Sequence, residues 1–148
     1  MKNKMIGFIG CGNMGKAMLG SLISSGEIRK ENIIVSAKTE ASKEVIEKEF
    51  AVKATNDNKE VAAKANIIFL AVKPHFFKEV ISEIKDVVSK DSIIVSIAAG
   101  ITIEQIEEYF GFAVKVIRTM PNTPALVGEG MSAICKNKHI HKEELEEV

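Results

Sequence analysis

Three glycines follow the apolar run Met5–Ile9 at the spacing G-x-G-x-x-G: Gly10, Gly12 and Gly15. That spacing suits the binding of a diphosphate. Gly10 permits a sharp turn, the bare main chain at Gly12 lets a pyrophosphate come close, and Gly15 lets the next helix lie near the strand. The helix N-terminus adds free N–H groups and the positive end of a dipole. A second stretch, Ser36-Ala37-Lys38-Thr39, ends the β-branched run Asn32–Ser36, where a dinucleotide fold meets the adenosine ribose. An NAD-binding site places Asp or Glu there, whereas this chain has a hydroxyl and a lysine, which suit a 2′-phosphate. Glu40 follows too late and falls in the next helix. The expected cofactor is therefore NADP(H), with NAD(H) possible.

Three more stretches close apolar runs with small, polar or rigid residues. Ala71-Val72-Lys73-Pro74 follows Ile67–Leu70, and Ala98-Ala99-Gly100 follows Ser92–Ile97. Thr119-Met120-Pro121-Asn122-Thr123-Pro124 reads as a rigid polar turn, because two prolines fix φ and remove donors. Lys73 is the one candidate acid among them, and a structural or cofactor role is preferred for it. Cys11 adjoins the glycine turn, where a helix N-terminus would lower its pKa, yet a small filler role is expected. Cys11 and Cys135 form no C-x-x-C pair, and His75, His139 and His141 lack metal-ligand spacing, so neither a disulfide framework nor a metal site is expected.

The elements that would position these residues alternate along the chain. A helix is predicted from Asn13 to Ser25, another over 41–50 with Val45, Ile46 and Phe50 inward, and a minimal strand over 51–54. Asn56 or Asp57 caps a short helix ending at Lys64. Pro74 opens a helix carrying Phe76, Phe77, Val80, Ile81 and Ile84, and Thr102 with Gln105 makes a capping box for a helix ending at Phe110. Strands follow at 114–118 and 130–135, and a helix starts at His141. The order predicts an α/β fold: a doubly wound, mostly parallel Rossmann-type sheet in three αβα layers. All five stretches then lie at the strands' C-terminal ends, where open sheets bind ligands.

A length of 148 residues allows one domain with a substantial core. Twenty basic and twenty acidic residues cancel, which argues against nucleic acid or a charged membrane as partner. No apolar run is long enough to span a bilayer. Met1-Lys2-Asn3-Lys4 resembles the front of a signal peptide, but Gly10-Cys11-Gly12-Asn13 breaks the apolar stretch behind it, so a cytoplasmic location is expected.

FIGCGNMG, LAVKP, SIAAGIT and VIRTMPNTPALVGEGMSAI, in that order, resemble the N-terminal domain of the pyrroline-5-carboxylate reductase family over essentially the whole chain. That family reduces the C=N bond of 1-pyrroline-5-carboxylate to L-proline with NADPH or NADH. The resemblance implies that Ile9, Gly10, Cys11, Gly12, Asn13 and Met14 hold the pyrophosphate. Ser36, Lys38 and Asn58 would meet the adenosine end. Ala71, Val72, Lys73 and Pro74 would line the groove with Ile97, Ala98 and Ala99, while Met120, Asn122, Thr123 and Pro124 would border nicotinamide and substrate. It assigns no catalytic residue here. The family carries a second, helical domain that forms the dimer and contacts the substrate. Residues 1–148 would thus be the cofactor domain, with 140–148 starting the helix toward that absent part. The whole protein would be a homo-oligomer; the isolated chain would be monomeric and poorly active. Two other readings stay open: the cofactor domain of a β-hydroxyacid or prephenate dehydrogenase, and a non-catalytic NADP-binding module.

Overall fold

A computed structural model of the chain describes residues 3–121 and 132–148. The order is β1 (Ile6–Ile9), α1 (Asn13–Ser24), β2 (Ile33–Ser36), α2 (Glu40–Phe50), β3 (Lys53–Thr55), α3 (Asn58–Lys64) and β4 (Ile67–Leu70). Then come α4 (Phe77–Ile84), β5 (Ile93–Ser96), α5 (Ile103–Phe110), β6 (Lys115–Pro121), β7 (Ser132–Lys136) and α6 (Lys142–Glu147). Short 3-10 turns, Lys30–Asn32 and Pro74–Phe76, lead into β2 and α4. The strands form one sheet in the order β3-β2-β1-β4-β5-β6-β7. β1 to β6 are parallel and β7 is antiparallel to β6. This is the expected doubly wound, mostly parallel sheet.

Each central strand is apolar on both faces because both faces are covered. Ile68, Leu70 and Ile94 join one buried cluster with Val61, Phe77, Ile81, Ile84, Ile106 and Phe110 of α3, α4 and α5. Phe8, Ile67, Phe69, Ile93 and Val95 join another with Leu19 of α1 and Ile46 of α2, and Leu145 and Val148 pack against it. Phe8 and Phe69 stack across β1 and β4 with ring centroids 4.7 Å apart. A Cβ at Gly7 would lie 2.5 Å from Val61 Cγ1 and 2.8 Å from Ala65 Cβ, so α3 seats directly on β1 where a side chain is missing.

The caps at Asp57 and Thr102 act as the sequence predicts, and the structure adds one at Thr39. Thr39 accepts from Ser42 N–H, Asp57 accepts from Lys59 N–H, and Thr102 with Gln105 completes the capping box. Asp57 is thus the cap, and Asn56 instead donates to the Ala37 carbonyl at 2.9 Å. Short as it is, α6 is tied down by ion pairs of Glu144 with Lys115 and of Glu147 with Lys4, the latter at 2.7 Å.

Three local expectations change. Val45 is 46 % exposed and Ile46 alone faces the core at that point of α2. The third strand starts at Lys53, because Ala51 ends α2 in the left-handed region at φ 55°. Thr119–Pro121 continue β6 and pair with Ile134, Ala133 and Ser132, so strand pairing holds the start of the proposed rigid turn. Asn122, Thr123 and Pro124 lie outside the described residues.

Candidate functional site

β1 lies between β2 and β4, so the chain's winding reverses there. A crevice opens beyond strand ends at such a point. Gly10 occupies it at φ +78°. Its N–H donates to the Ser36 carbonyl at 3.2 Å, and Ala71 N–H donates to the Ile9 carbonyl at 2.9 Å. A Cβ on Gly10 would meet Val72 Cγ1 at 2.6 Å and the Ala71 carbonyl oxygen at 3.1 Å. A Cβ on Gly15 would lie 3.2 Å from Ala71 Cβ, so its absence lets α1 sit close against the end of β4.

Gly12 differs from both neighbours. A Cβ there would meet nothing within 4 Å, so the main chain is bare on the open side. Gly12 is the N-cap of α1, and no side chain caps it and no acid stands in its first turn. The first helical bond runs from Lys16 N–H to the Gly12 carbonyl at 2.9 Å. The amides of Asn13, Met14 and Gly15 precede that bond and need an outside acceptor. Open space, unspent donors and a positive helix end suit a diphosphate. Cys11 does not become acidic beside this turn. Burial pushes its thiol up from 9.0 to about 11, with Lys16 opposing and Glu49 assisting. Its sulfur sits 3.7 Å from where a Cβ on Gly15 would stand, so it fills space beside that glycine.

Beside the turn, a cavity of about 270 Å³ runs between the ends of β1 and β2, the start of α3, and α4. Ser36, Lys38 and Asn58 all line it, as the sequence leads one to expect. Ser36 is buried at 1 % exposure, and its hydroxyl donates to Asn58 Oδ1 at 2.6 Å. Lys38 holds its ammonium 4.8 Å from the centre of the Phe76 ring, within cation–π reach. Two acids that sequence reasoning missed, Glu79 and Glu83, line the same cavity from α4. The signal was the stripe Phe76, Glu79, Val80, Glu83, at helical i, i+3, i+4, i+7 spacing.

The remaining candidates share the sheet's C-terminal edge. Ala71 and Val72 are half-buried, and Lys73 and Pro74 are exposed at the start of the 3-10 turn. Ile97 is half-buried, Ala98 buried and Ala99 exposed. Met120 stands further along at 43 % exposure, where Arg118 Nη2 reaches its sulfur at 3.6 Å. Among the described residues no group of His, Cys, Asp and Glu is arranged to hold a metal ion. No helix of the described residues is long and apolar enough to cross a membrane.

A mostly parallel sheet with a side-chain-free glycine turn at its reversal point has the architecture of a dinucleotide-binding fold. Residues 5–100 match the family described as NADP oxidoreductase, coenzyme F420-dependent, and the chain belongs to that family. It is 46% identical over 145 residues to the pyrroline-5-carboxylate reductase of Escherichia coli (strain K12), covering 98% of this chain and 54% of that protein. A pyrroline-5-carboxylate reductase structure from Coxiella burnetii superposes with a TM-score of 0.93 at 33% identity, covering 98% of this chain and 54% of the other. The pyrroline carboxylate reductase of Plasmodium falciparum, solved with NADP bound, gives a TM-score of 0.88 at 33% identity, covering 99% and 53%. The chain thus spans about half the length of these relatives.

Proposed function

We propose that this chain is the coenzyme-binding part of a pyrroline-5-carboxylate reductase, which reduces 1-pyrroline-5-carboxylate to L-proline with NAD(P)H. The observation that carries this reading is the bare, donor-rich turn at Gly12, together with the resemblance just described. In this reading the main chain from Ile9 to Met14 holds the pyrophosphate. Ser36, Lys38 and Asn58 receive the adenosine end. Ala71 to Pro74 and Ile97 to Ala99 line the groove toward the reacting ring. Met120, with Asn122, Thr123 and Pro124, borders the substrate side. When bound, the nicotinamide coenzyme supplies the hydride, and the protein supplies binding and orientation. Lys38 favours a 2′-phosphate, so NADP(H) is preferred and NAD(H) is accepted.

No residue of this chain is assigned as the catalytic acid. Alignment of ring and imine demands walls on both sides of the reacting atoms. We assign the opposite wall, the main substrate contacts and the homo-oligomer contacts to residues beyond these 148. The chain alone is then a coenzyme-binding monomer with little turnover. Titration with NADPH, followed by coenzyme fluorescence, tests this reading: saturable binding is expected, and its loss in Gly12→Val locates the site. Absence of binding overturns the reading. Vigorous NADPH oxidation by the chain with 1-pyrroline-5-carboxylate overturns the division of labour.

A further inference from the structure

Three residues on the wall of the cavity beside the glycine turn form a directed chain of hydrogen bonds. Ser36 Oγ donates to Asn58 Oδ1 at 2.6 Å, and Asn58 Nδ2 donates to Glu83 Oε2 at 3.3 Å. β2, α3 and α4 each contribute one member. A hydroxyl has one hydrogen, and here it goes to Asn58 at 2.6 Å in preference to the Phe8 carbonyl at 3.5 Å. Toward a ligand, Ser36 therefore offers lone pairs only. The direction is set at the far end. A carboxylate can only accept, so Glu83 holds the Asn58 amide with its nitrogen outward and its oxygen toward Ser36. Reversing that amide would press the Asn58 oxygen against the carboxylate.

The consequence is chemical. Ser36 and Glu83 face a ligand as acceptors, so they take a hydrogen bond from a free ribose hydroxyl and give none to a phosphate oxygen, while Asn58 keeps one amide hydrogen beyond the one given to Glu83. Glu79, one helical turn before Glu83, adds a second negative charge to the same cavity. Lys38 is the only cation among the described residues lining it. The cavity thus carries one feature that attracts a 2′-phosphate and a larger set that resists it.

We propose that Glu83 is a specificity-determining positioning residue. Through Asn58 and Ser36 it keeps the ribose end of the cavity receptive to a free 2′-hydroxyl, and it limits the preference for a 2′-phosphate that Lys38 creates. This inference rests on the reading that the adenosine end of the coenzyme occupies this cavity. Glu83 does not touch the reacting atoms, and its action is on binding.

Calorimetric titration of the chain with adenosine 5′-monophosphate and adenosine 2′,5′-bisphosphate tests it, using Glu83→Gln and Glu83→Leu. Glu83 is exposed on α4, so both variants fold. Gln keeps an acceptor for Asn58 and removes the charge. The bisphosphate-to-monophosphate affinity ratio then rises roughly three- to tenfold at low salt, and the gain shrinks in high salt. Leu removes charge and acceptor together, so the ratio rises and monophosphate affinity falls about threefold or more. A ratio within twofold of the original in both variants overturns the proposal. A ratio that rises in Glu83→Gln, with monophosphate binding intact in Glu83→Leu, assigns the effect to charge alone and overturns the relay. If the unaltered chain binds neither nucleotide, the cavity reading falls with it. If it binds both and the variants do not differ, only the role of Glu83 falls.

Discussion

The β-carbon that Gly10 lacks would stand 2.6 Å from Cγ1 of Val72, while the one that Gly12 lacks would stand in open space. The two glycines therefore answer to different demands, and alanine separates them. Gly10→Ala must adopt φ +78° and displace the end of β4. It loses about 2 kcal/mol of stability or more, read as a lower denaturation midpoint. Gly12→Ala changes stability by less than about 1 kcal/mol, yet weakens NADPH binding at least roughly tenfold because its methyl enters the space assigned to the diphosphate.

Lys38 is the one cation among the described residues that line the cavity beside the glycine turn. Lys38→Glu replaces an attraction for a 2′-phosphate by a repulsion and supplies an acceptor for a ribose hydroxyl. Paired titrations with NADPH and NADH should show the original chain favouring NADPH and the variant favouring NADH. Each arm changes by roughly ten- to a hundredfold, the range of a charge-assisted hydrogen bond. Equal affinities before and after the change remove Lys38 from the site.

The two thiols should separate in reactivity. Burial holds Cys11 protonated up to about pH 11, whereas Cys135 is exposed on β7. Iodoacetamide at pH 8 should label Cys135 first and Cys11 more than roughly tenfold more slowly, with unfolding abolishing the difference. Mass spectrometry of the two peptides reads the order. The raised folded-state pKa also fixes a sign. The neutral Cys11 thiol contributes stability fully below about pH 9, and that contribution is lost as pH rises toward 11.

Glu60 gives the opposite sign. Hydrogen bonds from Lys53 at 2.7 Å, Lys64 at 2.9 Å and Thr55 lower its pKa from 4.5 to about 2. Its contribution is present above pH 4.5 and is lost as pH falls toward 2. Solvent screening keeps it below about 1 kcal/mol. Denaturation of the chain and of Glu60→Gln should therefore differ slightly at pH 7 and coincide near pH 2.

The layered sheet was legible in the sequence because its signals are local. Apolar runs such as Ile67–Leu70, the capping box at Thr102, and the glycines at 10, 12 and 15 each state their structure within a few residues. Antiparallel β7 was not legible, since direction depends on a partner strand rather than on a strand's own residues. Val45 went astray for a related reason: one residue beside Ile46 on a helix turns the side chain through about 100°. The same limit hid Glu79 and Glu83. They reach the cavity that Ser36 lines only after two crossovers have folded back over the sheet, so their place there is a product of topology. The family resemblance grouped Ser36, Lys38 and Asn58 as cofactor contacts, and the fold brings all three to one cavity. The direction of the hydrogen bonds among them was not anticipated.

The crevice at Gly12 is shaped by the absence of side chains, and this separates grip from choice. Peptide amides cannot be exchanged by mutation, and any side chain added there obstructs before it can select. On the proposed reading, preference is adjusted at the periphery, around Lys38 and Glu83. A lineage can retune which coenzyme or reactant it prefers while the central clasp stays as it is.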